Sequence, residues 1–126
     1  MGGIVGIGLD VAGIARFEKI LAGPHGSRFL ERCFTEGERS SCQYRVDRAQ
    51  AFAARFAAKE ALVKALGAPP GLHWTDMEVV NVRSGAPVMK VTGAAARAVK
   101  KRRAKIHLAI THDAGIAAAT VVLERT

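Results

Sequence analysis

The chain has 126 residues, of which 49% are hydrophobic, and carries a formal net charge of +8. This length suffices for one domain with a hydrophobic core and is too short for two, so we expect a single domain over residues 1–126. The positive charge predicts an acidic partner, such as nucleic acid, an anionic lipid, an acidic protein or a phosphorylated small molecule.

Residues 1–14 are largely apolar, but glycines and Asp10 interrupt them, and they contain no basic segment. Neither a signal peptide nor a membrane-spanning helix fits this pattern, so we expect a cytoplasmic protein without a membrane partner. Cys33 and Cys42 have neither the CxxC spacing of a metal site nor the spacing of a disulfide framework. We expect both thiols to be reduced and packed.

The first predicted element is a strand from Ile4 to Leu9, with apolar side chains alternating to one face. The other face carries Gly6, Gly8 and then Asp10. The glycines leave room beside Asp10 for another backbone or for a ligand. An isolated aspartate at such a junction more often caps the next helix, so that role stays open for Asp10. Val11 stands where a dinucleotide-binding fingerprint needs glycine, so the sequence does not support that nucleotide-binding loop.

Three short helices are predicted next. Residues 14–21 have an amphipathic pattern with Arg16 on the polar side, and a second helix carries Arg28. Thr35 and Glu38 have the spacing of a capping box at the start of the third helix. Basic residues thus recur on successive helices, which is ordinarily the pattern of a solvated face.

One long helix is predicted from Asp47 to Gly67. Asp47 and Gln50 have the spacing of a capping box, and Gly67 with the prolines after it is typical of a helix end. Phenylalanine and leucine residues fall on one side and alanines fill much of the other. Both sides of this helix can therefore be buried.

Four charged residues interrupt this apolar helix, namely Arg55, Lys59, Glu60 and Lys64. In one interpretation Glu60 and Lys64 form a surface pair worth about 0.2–0.5 kcal/mol, while the other two side chains extend to solvent. In the other interpretation, three cations and one carboxylate face a polyanion and a metal ion. Because a buried charge without a partner is costly, either solvent or a counter-charge must meet each of them.

The remaining predicted elements are two strand pairs separated by a helix. The strands are Met77–Val82, Val88–Val91, Ile106–Thr111 and Ile116–Leu123, and the helix is Ala94–Val99. This order predicts an α+β fold, with a largely antiparallel sheet packed against one long helix and several short helices. The basic run Lys100–Arg103 indicates either a nucleic-acid patch or a solvated helix end.

Three segments together resemble holo-acyl-carrier-protein synthases, the small trimeric type of 4′-phosphopantetheinyl transferase. They are Gly6-Ile-Gly-Leu-Asp-Val11, Arg55-Phe-Ala-Ala-Lys-Glu-Ala-Leu-Val-Lys-Ala-Leu-Gly67 and His107-Leu-Ala-Ile-Thr-His-Asp113. Gly85-Ala86-Pro87 also matches the Gly-x-Pro turn of the family. The resemblance covers nearly the whole chain, and Ala109 departs from it because the family commonly has serine there.

The resemblance implies the fold of that family and its reaction, in which phosphopantetheine moves from coenzyme A to a serine of acyl carrier protein and 3′,5′-ADP is released. It implies that Asp10 and Glu60 bind Mg²⁺, an ion that prefers oxygen ligands. It also implies that Lys64 reaches the phosphates and stabilises the transition state. Either Glu60 or a metal-bound water would take the proton of the serine.

The same resemblance implies the residues that bind the substrates. Coenzyme A contacts are implied for Arg55, Lys59, Gly85, Pro87, Thr111 and His112. The charges of Arg55 and Lys59 would face the phosphates or neighbouring acidic groups, and for His112 a hydrogen-bonded strand histidine is the alternative. Arg16 and Arg28 match positions where the family docks its acidic carrier protein. The family is usually a homotrimer with sites at subunit interfaces.

A second hypothesis is a basic nucleic-acid-binding domain that uses residues 100–105 and the arginine-bearing helices. Such a domain would need aromatic side chains on a stacking platform. The chain has five Phe, one Trp and one Tyr, and several of them lie on apolar helix stripes. We therefore favour the transferase and expect no nucleic-acid partner.

Overall fold

The computed structural model describes residues 2–126 and has an α+β architecture, as predicted. The strands are β1 (Gly3–Gly13), β2 (Met77–Asn81), β3 (Pro87–Val91), β4 (Ala104–Asp113) and β5 (Ile116–Arg125). The helices are α1 (Ile14–Ala22), α2 (Gly26–Cys33), α3 (Glu36–Cys42), α4 (Arg48–Ala65) and α5 (Gly93–Lys101), and a 3₁₀ turn covers Trp74–Asp76. No helix within residues 2–126 is long and apolar enough to cross a membrane.

The strands form two antiparallel sheets. The larger sheet has the order β1-β5-β4, so the first and last strands of the chain are neighbours, and β2 pairs with β3 in a separate hairpin. β1 continues beyond the predicted end at Leu9 to Gly13, because β5 supplies pairing partners as far as Ile116 opposite Gly13. The sheet therefore carries Asp10 inside a paired strand rather than at a loose strand end.

Helix α4 packs across β1 and β5 on one face of the larger sheet. A Cβ atom added at Gly8 would collide with the carbonyl oxygen of Ala61, and one added at Gly6 would collide with that of Ala65. Of the two uses foreseen for these glycines, they thus accommodate another backbone, that of α4. This close approach brings α4 side chains next to the side chain of Asp10.

The predicted C-terminal end of α4 agrees with the structure, whereas the predicted cap at its N-terminal end does not. Gly67 has a φ of +76°, the left-handed conformation that commonly follows the last turn of a helix, so the predicted end is confirmed. The predicted capping box at Asp47 is wrong. Both carboxylate oxygens of Asp47 instead accept hydrogen bonds of 2.8 Å from Arg45, and its backbone is not extended as an N-cap residue requires. The predicted box of Thr35 and Glu38 is present on α3.

The core between α1, α2 and α4 is aromatic. Phe34 packs against Phe52 in a tilted arrangement with ring centroids 4.8 Å apart, and Phe56 lies against Trp74 with centroids 4.9 Å apart. Phe17 is fully buried against the same cluster. These rings support the fold from inside, so they are not available to stack on nucleic-acid bases. Within the described residues, Cys33 and Cys42 are buried and form no disulfide, as expected.

Candidate active site

Asp10, Glu60 and Lys64 come together where β1 passes under α4. The Lys64 ammonium donates a 2.8 Å hydrogen bond to Oδ1 of Asp10 and a 3.0 Å hydrogen bond to the carbonyl oxygen of Leu9. The Asp10 side chain is 10% exposed, whereas that of Lys64 is 55% exposed. Helix α1 starts after Gly13 without a side-chain cap, so Asp10 serves this cluster and not the helix.

Glu60 is half-buried next to Asp10, and this raises its pKa to about 7. The largest cause is desolvation, followed by the hydrogen bond that protonated Glu60 donates to the Asp10 carboxylate and by repulsion between the two carboxylates, while the charges of Lys64 and Arg16 act in the opposite direction. Two carboxyl groups share a hydrogen bond only when one of them is protonated. With a pKa of about 7, the Glu60 carboxyl group is therefore partly protonated near neutral pH in the absence of a cation.

The pair of carboxyl groups fits a divalent cation. Oδ2 of Asp10 is buried and has no hydrogen-bond partner among residues 2–126. Buried carboxylate oxygens are normally satisfied, and oxygen atoms of this kind are the ligands that Mg²⁺ prefers. The described part of the chain holds no group of three or more His, Cys, Asp or Glu that could bind a metal. A cation here would thus take its other ligands from water or from a substrate.

A second site lies at the other end of α4, where the β2–β3 turn and the end of β4 meet. It is a cleft of about 290 Å³. Its lining includes Arg55, Gly85, Pro87 and His112, four of the residues predicted to contact coenzyme A. The cleft thus brings together side chains from α4, β3, β4 and the turn.

The Arg55 side chain is the buried cation of this cleft. Its guanidinium donates to the carbonyl oxygen of Ala51 at 3.2 Å and to Oδ1 of Asn81 at 3.3 Å. Its Nε is buried and makes no hydrogen bond to any described residue. Asn81 in turn donates to the carbonyl oxygen of Gly85 at 2.8 Å, which holds the turn beside the guanidinium. A phosphate or ring nitrogen of a nucleotide would find a fixed donor here.

Sequence reasoning missed Arg45 and Asn81, which line the same cleft. The signal for Asn81 was its place as a polar residue near the end of the predicted strand Met77–Val82, four residues before Gly85. For Arg45 the signal was its spacing from Asp47, because an aspartate two residues away can hold an arginine side chain with two parallel hydrogen bonds.

Two predicted contact residues do not reach the cleft. Thr111 lies between Ile110 and His112 on β4, so its side chain points to the opposite, outer face of the sheet. It is in register with Ala118 of β5.

Lys59 is 0% exposed, and its ammonium lies 2.5 Å from Oε1 of the buried Glu38. Its partner is therefore an acidic neighbour and not a phosphate. Burial lowers the pKa of Lys59, and the Glu38 carboxylate opposes this effect.

The two predicted docking residues, Arg16 on α1 and Arg28 on α2, are exposed. The Arg16 guanidinium lies 5.6 Å from the ring centroid of Phe17. It is also close enough to Glu60 to lower the pKa of that carboxyl group. The basic surface of α1 thus adjoins the carboxylate cluster.

The carboxylate cluster and the cleft occupy different sides of α4. Residues 55 and 60 are five positions apart, which corresponds to roughly 140° around the helix axis. The lining of the cleft contains none of Asp10, Glu60 and Lys64. One copy of the chain therefore presents the cluster of Asp10, Glu60 and Lys64 on one side of α4 and the cleft on another.

A small α+β domain that combines a cluster of two carboxyl groups and a lysine with an arginine-lined cleft fits the class of transferases that act on phosphorylated substrates. The sequence model of the 4′-phosphopantetheinyl transferase superfamily matches residues 6–121. The chain belongs to this superfamily.

Relatives with the same fold and similar length carry a more specific name. A holo-[acyl-carrier-protein] synthase of Myxococcus xanthus is 55% identical over 97% of this chain and 96% of its own length. The holo-(acyl-carrier-protein) synthase of Bacillus anthracis, solved in complex with CoA (3′,5′-ADP), has a TM-score of 0.79 and 35% identity, with 98% of both chains covered. The Helicobacter pylori enzyme in complex with coenzyme A has a TM-score of 0.78 and 31% identity, covering 93% of this chain and 98% of that one.

Proposed function

We propose that this protein is a holo-acyl-carrier-protein synthase, which transfers 4′-phosphopantetheine from coenzyme A to a serine of apo acyl carrier protein. The serine oxygen attacks one phosphorus of the pyrophosphate, the bond to the other phosphate breaks, and 3′,5′-ADP leaves. The proton of the serine passes to Glu60 or to solvent. The observation that carries this proposal is the contact of Asp10 with the half-buried Glu60, because a divalent cation held by two carboxylates can also bind the oxygens of a diphosphate.

In this proposal Asp10 and Glu60 hold Mg²⁺, which supplies positive charge to the oxygens of the pyrophosphate. Lys64 has three N–H donors, of which two are engaged with Asp10 and Leu9. The third donor remains for a phosphate oxygen, and the exposed position of the ammonium leaves it accessible. Lys64 would then stabilise the charge that shifts to the leaving group in the transition state.

The nucleotide half of coenzyme A is assigned to the cleft of a neighbouring copy in a homotrimer. The support is the outer face of the larger sheet, where the β1 side chains Ile7, Leu9 and Val11 are 57–68% exposed. Contiguous apolar surface of this kind marks an interface. Thr111 lies on the same outer face. If a neighbouring copy packs on this face, Thr111 contacts either that copy or the coenzyme A bound to it.

The acidic carrier protein is assigned to α1 and α2. Arg16 and Arg28 are exposed there, and Arg16 is near enough to Glu60 to affect its ionisation. A carrier bound at α1 would present its serine at the carboxylate cluster. Contacts of this kind steer association and weaken as salt is added. We place the reaction in the cytoplasm, as the sequence predicts.

The nucleic-acid hypothesis gains no support. Arg102, in the middle of the basic run, donates a 2.7 Å hydrogen bond to the carbonyl oxygen of Leu66 and so caps the end of α4. Four phenylalanine side chains that could stack on bases, Phe17, Phe34, Phe52 and Phe56, are buried in the core, whereas Tyr44 is 89% exposed.

The deciding experiment mixes the protein with coenzyme A, Mg²⁺ and an apo acyl carrier protein, and then measures the mass of the carrier. We expect the carrier to gain one phosphopantetheine group only when all three components are present. A carrier whose mass is unchanged, together with tight and strongly salt-dependent binding of the enzyme to DNA or RNA, would reverse the choice between the two functions.

A further inference from the structure

Lys59 and Glu38 form a buried ion pair that the proposed reaction does not use. Their residues are 0% and 1% exposed. The Lys59 ammonium donates to Oε1 of Glu38 at 2.5 Å, to the carbonyl oxygen of Cys33 at 2.8 Å and to that of Trp74 at 3.2 Å. All three N–H donors of the ammonium are therefore engaged.

Glu38 extends the same network to two further elements. Its carboxylate accepts hydrogen bonds from the backbone N–H of Thr35 at 3.0 Å and from that of Val79 on β2 at 2.8 Å. Through these bonds Lys59 connects α4 to the end of α2, to α3, to the 3₁₀ turn and to β2. The ion pair is thus the point at which four other elements are fixed to one residue of α4.

Stability alone does not account for this pair. Well-packed hydrophobic side chains of similar volume often replace a buried ion pair without loss of stability, since both charges must first be removed from water. What such side chains would not reproduce is the set of five directional hydrogen bonds around Lys59 and Glu38. These bonds fix the direction in which Lys59 leaves the helix axis.

Lys59 precedes Glu60, so the direction of one side chain determines that of the other. The contacts of Gly6 and Gly8 with α4 set the distance between the helix and β1. They do not by themselves prevent rotation of the helix. A rotation of about 20° would move a group about 5–6 Å from the helix axis by roughly 2 Å. Displacements of about 1 Å near a reacting group can cost a hundredfold in rate.

We propose that Lys59 is a positioning residue, whose bonds to Glu38 and to the carbonyl groups of Cys33 and Trp74 set the rotation of α4 that places Glu60 beside Asp10. This inference rests on the proposed function, because it assigns the purpose of that placement to the cation site. It gives Lys59 a role through Glu60 and not through direct contact with coenzyme A.

The test compares the wild-type chain with the double variant Lys59→Met and Glu38→Gln. The double variant removes both charges together, so the net charge near the cation site is unchanged, and its side chains have similar volumes. Circular dichroism and urea unfolding establish that it is folded. Isothermal titration calorimetry with Mg²⁺ alone then measures the affinity, and steady-state transfer assays measure kcat and KM for coenzyme A.

We expect the folded double variant to bind Mg²⁺ about tenfold or more weakly, as for other residues that orient a metal ligand, and to lose more in kcat than it changes in KM. Arg102→Met is the matched control, because it removes another cation that is bonded to α4 but lies beyond its C-terminal end. The control should lose stability and keep its Mg²⁺ affinity.

Wild-type Mg²⁺ affinity and kcat in the folded double variant would overturn the proposal. If the double variant does not fold, Glu38→Gln alone replaces it, since glutamine keeps an acceptor oxygen for the backbone N–H groups of Thr35 and Val79. The same loss of Mg²⁺ affinity is expected there, and an unchanged affinity would equally overturn the role of Lys59. If the wild-type protein transfers no phosphopantetheine, the proposed function falls, while the Mg²⁺ affinities still decide the role of Lys59.

Discussion

Two lysines on one helix have opposite environments in this protein. Lys64 is half-exposed and bonded to Asp10, whereas Lys59 is fully buried and bonded to Glu38. The sequence shows both as cations on an apolar helix, and the resemblance places Lys64 at the phosphates and Lys59 either at the phosphates or at neighbouring acidic groups. It could not separate their roles, because the partner of Lys59 lies on α3 and only tertiary packing brings it near.

Replacing Asp10 with Asn keeps the size of the side chain and removes the charge that the cation needs. We expect Mg²⁺ affinity and kcat to fall by more than about a hundredfold, since even residues that only orient metal ligands are worth 10–100-fold. Calorimetry with Mg²⁺ and carrier mass measurements check this. Asp113→Asn, an exposed change at the β4–β5 turn, should leave both values near those of the wild type. Full activity in Asp10→Asn would remove the metal assignment.

Replacing Lys64 with Met tests its place at the phosphates. We expect kcat to fall more than KM for coenzyme A rises, because a charge that acts on the leaving group stabilises the transition state more than the bound substrate. Steady-state kinetics over a range of coenzyme A concentrations measure both constants. A change in KM alone would show that Lys64 only binds the substrate.

The ionisation of Glu60 should appear in the stability of the metal-free protein. Its pKa rises from an ordinary value of 4.5 to about 7 on folding, so the folded state holds a proton that the unfolded state has released. The free energy of unfolding from this group is therefore full below pH 4.5 and declines as the pH rises through 7. Urea unfolding in EDTA from pH 4 to 8 measures this decline. Glu60→Gln should lack it, and an equal decline in that variant would assign it to other groups.

At the scale of elements, the alternation of β1 was predictable, but the face that α4 covers was not. Apolar side chains usually mark the buried face of a strand. Here the helix packs against Gly6 and Gly8, and the apolar side chains of the same strand point outward. The physical reason is that two backbones approach closely only where side chains are absent. A pattern of hydrophobic residues does not show which glycine face a helix will cover.

Gly8→Ala tests this close approach. The added methyl group would meet the carbonyl oxygen of Ala61, so we expect α4 to move away from β1 at a cost of about 1–3 kcal/mol, with weaker Mg²⁺ binding. Gly13→Ala in the same strand is the control, because its nearest new contact would be an ordinary 3.9 Å from Cβ of Arg16. Urea unfolding and calorimetry compare the two. Equal stabilities would mean that the approach of α4 does not depend on Gly8.

At the scale of the whole molecule, the fold class and the carboxylate pair followed from pattern and resemblance. The separation of the carboxylate cluster from the cleft did not, because it depends on where α4 turns its successive faces. Arg55 and Glu60 read as one charged segment in the sequence, and the helix directs them to different sides. The side chains of Ile7, Leu9 and Val11 form an exposed apolar stripe on β1. A second copy packed on this stripe would place its cleft next to the carboxylate cluster of the first copy and so complete the proposed site.

Mixing two inactive variants tests this composite site. Asp10→Asn removes the cation half and Arg55→Ala removes the nucleotide half, so each variant alone should have little transfer activity. If both halves come from neighbouring copies, unfolding and refolding the two variants together should restore activity, with about a quarter of the interfaces intact in a random equal mixture. Light scattering on the same samples should give a trimer, and Leu9→Asp should reduce it to a monomer and prevent the rescue. If instead one chain supplies both halves, no mixture of the two variants can regain activity, because every copy then lacks one of them.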